Sequence, residues 1–61
     1  MEKECVLIEH RDGQRQIQYS DERPTPSFWI KQWYFVRLSS EKIDEIENAT
    51  IQQVQEILKT L

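Results

Sequence analysis

Apolar positions along this chain follow two periods, and the change comes at Ser39-Ser40. Before that point they alternate or run in short blocks, as strands do; after it they recur at spacings of three and four, as on one face of a helix. Cys5-Val6-Leu7-Ile8 reads as a strand rich in branched side chains. Asp12-Gly13 follows and predicts a two-residue type I′ hairpin, whose central residues both take positive φ; Gly13 is the only glycine in the chain. Arg15 to Tyr19 is the return strand. With that turn, Arg11 faces Gln14, Ile8 faces Ile17 and Val6 faces Tyr19. Alternation then groups Val6, Ile8, Ile17 and Tyr19 on one apolar face, and Cys5, Leu7, Glu9, Gln16 and Gln18 on a mostly polar one.

Asp21 to Ser27 reads as a loop, because Pro24 and Pro26 each fix φ and remove a backbone donor. Phe28 to Leu38 is the third strand. It holds five of the six aromatic rings in the chain, Tyr19 being the other. Its even positions are Phe28, Ile30, Gln32, Tyr34, Val36 and Leu38; its odd positions are Trp29, Lys31, Trp33, Phe35 and Arg37. The even face is the more continuously apolar and is assigned to the core. A bulge near Gln32 would switch the faces midway.

Ser39 is a candidate N-cap, with Leu38 and Ile43 spaced as a hydrophobic staple and Ile43 and Ile46 on one helical face. Thr50 and Gln53 have capping-box spacing for a second helix, with Ile51, Val54, Ile57, Leu58 and Leu61 as its apolar stripe. The expected fold is α+β, a single domain over 1–61. A three-stranded antiparallel sheet is followed by two short C-terminal helices on one face, in the order β-β-β-α-α. The expected core is Val6, Ile8, Ile17, Tyr19, Ile30, Tyr34, Val36, Leu38, Ile43, Ile46, Val54, Ile57, Leu58 and Leu61. Strand order stays open, since the loop before Phe28 is long enough to reach either edge.

The length, 61 residues, changes the picture in one respect. A domain of this size hides only ~60% of the surface its unfolded chain exposes, so a lone monomer is marginal. One cysteine, Cys5, excludes an internal disulfide, and one histidine, His10, excludes a zinc-finger set. Support from a homodimer or from docking on a larger partner is the remaining expectation. The charged start Met1-Glu2-Lys3-Glu4 is unlike a signal peptide, and no run approaches the roughly 20 apolar residues of a membrane span. A cytoplasmic protein with no membrane partner is expected, so the sequon Asn48-Ala49-Thr50 carries no weight.

The net charge of -3 is unevenly placed. Residues 1–38 carry six Lys/Arg and six acids; residues 39–61 carry Lys42 and Lys59 against Glu41, Asp44, Glu45, Glu47 and Glu56. Acids off the Ile43/Ile46 stripe are expected to form a solvated face, and the early ones suit the positive end of the helix.

Candidate chemistry is sparse. Cys5 would need His10 as its base, and alternation puts the two on opposite faces of one strand. There is no glycine-rich phosphate loop, metal-ligand spacing or cofactor motif, and the expectation is a non-enzyme with no cofactor. Arg23-Pro24-Thr25-Pro26 reads as a connector rather than a polyproline ligand. What remains is the odd face of the third strand. Trp29, Trp33 and Phe35 alternate with Lys31 and Arg37, the residue types enriched at protein-interface hot spots. These five residues are the candidate partner-binding set. The expected function is a small non-catalytic protein-binding module: a regulator, inhibitor or adaptor, or an accessory subunit of a larger complex. The alternatives are single-stranded nucleic acid bound on the same face, against which the acidic balance weighs, and a homodimer that buries the face against itself.

Overall fold

A computed structural model describes residues 1–61. It contains β1 (Glu2–His10), β2 (Arg15–Gln18), β3 (Ile30–Ser39), α1 (Ser40–Glu47) and α2 (Ile51–Lys59). The three strands form one antiparallel sheet in the order β2-β1-β3. The β-β-β-α-α architecture is therefore the one expected, and the open question of strand order is resolved with β1 in the centre. This placement follows from composition. Cys5, Val6, Leu7 and Ile8 are an unbroken apolar block without a large aromatic ring, and all four are buried, so both faces of β1 are covered.

The hairpin register differs by one residue from the expected one. His10 N–H donates to the Gln14 carbonyl (2.8 Å), and Gly13 N–H donates to the His10 carbonyl (3.0 Å). Only Gly13 takes a positive φ, 91°. The connection is thus a three-residue turn with glycine in the left-handed position, rather than the two-residue turn that would have forced Asp12 to positive φ as well. Asp12 instead accepts the Gln14 N–H on Oδ1 (3.0 Å). The extra residue pairs Leu7 with Ile17 and Val6 with Gln18. Because side chains alternate, this slip moves Ile17 and Tyr19 onto the face of Cys5 and Leu7, and leaves Val6 and Ile8 on the other.

The core lies on the Cys5/Leu7 face, under the helices. Cys5, Leu7, Leu38, Ile46 and Leu58 form its buried centre; Ile17, Tyr19, Val36, Ile43, Val54, Ile57 and Leu61 pack around it. Four expected members are absent from it. Tyr34 stands opposite Leu7 but is exposed beyond the helices. Val6 and Ile8 are buried on the reverse of the sheet. Ile30 is displaced by a bulge: Glu9 pairs with Gln32 but His10 pairs with Ile30, leaving Lys31 as the extra residue. The anticipated switch of faces occurs one residue before Gln32. Phe28 and Trp29 precede the strand in a turn closed by Ile30 N–H to the Ser27 carbonyl (3.2 Å). Phe28, expected inside, is 74% exposed.

Both helix starts are capped as expected. Ser39 Oγ accepts from Lys42 N–H (3.1 Å). Thr50 and Gln53 close a capping box, Gln53 N–H to Thr50 Oγ1 (3.2 Å) and Thr50 N–H to Gln53 Oε1 (3.0 Å). Ile51, placed on the apolar stripe by spacing, is exposed. Helix α2 is also clipped to the edge of the sheet. The Gln55 side-chain amide accepts the Arg15 N–H and donates to the Arg15 carbonyl, both at 3.0 Å, as a neighbouring strand would. The Arg15 guanidinium reaches the Leu58 carbonyl (2.9 Å) and the Glu9 carboxylate (3.5 Å).

Candidate partner-binding face of the sheet

The face of the sheet away from the helices is built by the register just described. Across β1 and β3, Val6 pairs with Phe35, Ile8 with Trp33 and Glu4 with Arg37; across β1 and β2, Val6 pairs with Gln18 and Ile8 with Gln16. Val6 and Ile8 form the apolar floor, and Trp33 and Phe35 stand beside it. The two rings meet edge-to-face, with centroids 5.4 Å apart and planes at 88°, an arrangement the ring quadrupole favours. Trp33 is half-buried, whereas Phe35 is 45% exposed.

Part of this face is covered by the chain's own loop. β2 and β3 lie on opposite sides of β1, so residues 19–29 have to cross the sheet. Gln18, on the Val6 face, donates from Nε2 to Ser20 Oγ (2.8 Å) and to the Glu22 carbonyl (3.0 Å), which holds the start of the crossing on this side. Farther along, Arg23 to Ser27 form one wall of a groove whose other wall is Ile30, Lys31, Gln32 and Trp33. The loop then docks at the hairpin end: Arg11 donates from its backbone N–H to the Trp29 carbonyl (2.8 Å) and from Nε to the Phe28 carbonyl. The Arg11 guanidinium lies 5.1 Å from the centroid of the Phe28 ring.

The five expected binding residues are therefore not one stripe. Trp33, Phe35 and Arg37 share the sheet face. Lys31 occupies the bulge and lines the groove. Trp29 lies outside the strand and pairs edge-to-face with Phe28, centroids 5.6 Å apart, in a second aromatic patch beside Arg11. Phe28, Arg11 and the Arg23–Ser27 wall were not in the expected set. The one available signal was Ser27, a turn-forming residue directly before Phe28, which favours ending the loop later.

Titratable groups offer little reactivity. His10 Nε2 lies 3.0 Å from Gln16 Oε1, and Cys5 is buried on the other face, so the two do not meet. Burial pushes the Cys5 thiol above its ordinary range, against a smaller opposing pull from Lys3, which disfavours the thiolate. Glu9 is held below the ordinary glutamate range, chiefly by the hydrogen bond from Gln32 Nε2 (2.6 Å) and also by Lys31 and Arg15. Burial raises Tyr19, with Glu47 and Cys5 adding to it. No three His, Cys, Asp or Glu side chains converge to hold a metal ion, and no helix is long and apolar enough to cross a membrane. The chain matches no protein-family model, and no curated protein or solved structure matches it.

Proposed function

We propose that this chain is a non-catalytic protein-binding module, a small regulator or accessory subunit of a larger protein or complex. It engages its partner through Trp33, Phe35 and Arg37, flanked by Lys31 and the Phe28/Trp29 patch. The observation carrying this reading is the Trp33/Phe35 pair. Its rings are fixed against each other on a sheet face, yet Phe35 keeps 45% of its surface open to solvent. Rigid, partly exposed aromatic pairs flanked by arginine supply contact area at small entropic cost, which is the character of an interface anchor.

The test is capture of a partner by the immobilised chain, compared between wild type and Phe35→Ala or Arg37→Glu. A partner held by wild type and lost by both variants is expected, with circular dichroism unchanged. Equal capture by the variants would sink the reading. Titration with labelled oligonucleotides at low salt tests the same face for nucleic acid, whose binding would weaken steeply as salt rises; sedimentation tests for a homodimer.

A further inference from the structure

We infer that the outer edge of β3 accepts an added strand, and that the strand it fits is an extended acidic segment of the partner. The inference rests on the protein-binding reading above and specifies the partner's chemistry.

The direction of each backbone group on β3 follows from the hairpin. His10 N–H points toward β2, where it meets the Gln14 carbonyl, and Arg11 N–H points toward β3, where it meets the Trp29 carbonyl. In an antiparallel sheet these directions alternate. Odd residues of β1 therefore bond to β3, and their partners are Leu38, Val36, Tyr34 and Gln32. The Arg15 backbone, opposite Glu9, must then face away from β1, and it does so, toward Gln55. By the same alternation the N–H and C=O of Trp33, Phe35 and Arg37 face outward from β3. No other group of the chain bonds to them, although β2 has its outer edge closed at Arg15 by the Gln55 amide. Residues 33 to 37 thus present free donors and acceptors at every second residue, about 6.6 Å apart, the repeat an incoming strand needs.

Charge selects the occupant. Lys31 and Arg37 flank this edge, and Arg23 stands on the groove wall beside Lys31. None of the three forms an ion pair; Glu4 is across from Arg37 on β1 without bonding to it. The groove lining contains no acid. A second copy of the chain is a poor fit. The two-fold antiparallel register that overlaps residues 31–37 fully sets Lys31 opposite Arg37 twice, and like charges directly opposite destabilise a pair. Nucleic acid would satisfy the cations but has no backbone that matches the outward N–H and C=O groups. An acidic strand satisfies both, with alternate side chains beside Trp33 and Phe35.

The experiment uses the full chain, labelled with ¹⁵N, and an acetylated, amidated nine-residue peptide of alternating Val and Glu. Two controls are a Val/Lys peptide and a Val/Glu peptide N-methylated at alternate residues. The expected result is slowed amide exchange at Trp33, Phe35 and Arg37 with the Val/Glu peptide alone, and affinity reduced by about two- to fivefold each in Lys31→Ala and Arg37→Ala. Four results would overturn the inference: no protection of those amides; equal binding of the N-methylated peptide; protection by an oligonucleotide instead of the peptide; or amides already protected in a dimer of the free chain. A partner whose capture depends on Phe35 but which leaves the edge amides unprotected would remove the edge and keep the ring face. Edge protection with capture indifferent to Phe35→Ala would do the reverse.

Discussion

Gln55→Met is the most informative substitution in the scaffold. It keeps the length and most of the volume of the side chain while removing both hydrogen bonds that tie α2 to the Arg15 backbone. A hydrogen bond contributes a net of about 0.5–1.5 kcal/mol, and more when its loss leaves a partly buried group unpaired. Removing both is therefore expected to cost about 1–3 kcal/mol. A chain of 61 residues has a total stability of only about 3–9 kcal/mol, so the clip is a large share of it. The expected fall in Tm is about 5 to 20 °C. The assay is thermal and urea unfolding followed by circular dichroism, with Gln52→Met as the control, since the Gln52 side chain is exposed on the same helix and forms no hydrogen bond. Equal Tm values for the two variants would refute the argument that a side-chain amide stands in for a missing strand at β2. A lowered Tm with slower amide exchange at Arg15 would refute it equally, because loss of the clip must free that N–H.

Leu58→Ala removes a fully buried member of the core and is expected to cost about 2–5 kcal/mol, whereas Ile51→Ala, on an exposed residue of the same helix, should stay within about 0.5 kcal/mol in denaturant titration. Glu9 has its folded pKa lowered, so its contribution is present above the ordinary glutamate value of about 4.3 and is lost as pH falls through the lowered folded value; Glu9→Gln should flatten the acid limb of a Tm–pH profile, and an unchanged limb would contradict this. Cys5, buried with a raised thiol pKa, should react with a thiol reagent at pH 8 far more slowly than free cysteine until denaturant is added.

The order of elements and both helix caps were legible in the sequence because each depends on a few neighbouring residues: Ser39 with Lys42, and Thr50 with Gln53. The hairpin register was not. Asp12-Gly13 is compatible with two turn lengths, and only contacts distant in sequence decide between them. The three-residue turn wins because it seats Ile17 and Tyr19 against Leu58, Ile46 and their neighbours. The rejected register would have faced them toward the loop. The site was half legible for the same kind of reason. Alternation correctly grouped Trp33, Phe35 and Arg37, but it carries no further than the bulge at Lys31, and Trp29 and Phe28 lie beyond that bulge.

The corrected register also changes what the aromatic rings are for. Had Val6 and Ile8 joined the helix-side core, the opposite face of β1 would have carried Cys5, Leu7 and Glu9. Instead Val6 and Ile8 lie beneath that face, 0% and 4% exposed, with Trp33 and Phe35 as their neighbours on β3. Trp33 is thus a cover for Ile8 and, in the function we propose, a contact surface as well. Truncating it to alanine removes a large aromatic side chain from a half-buried position, at an expected cost of up to about 3–5 kcal/mol, comparable to much of the stability of so small a domain. Loss of partner capture by Trp33→Ala would then report unfolding as readily as loss of an anchor. Phe35, more exposed, and Arg37, at the rim, separate the two roles. Val6 and Ile8 are already covered, so a partner that rests on this face adds little to their burial; its binding raises Tm by mass action, to an extent set by its concentration and affinity. Bound-state Tm measured for wild type and for Trp33→Phe, which keeps a ring over Ile8, is the comparison that distinguishes a structural lid from a docking anchor.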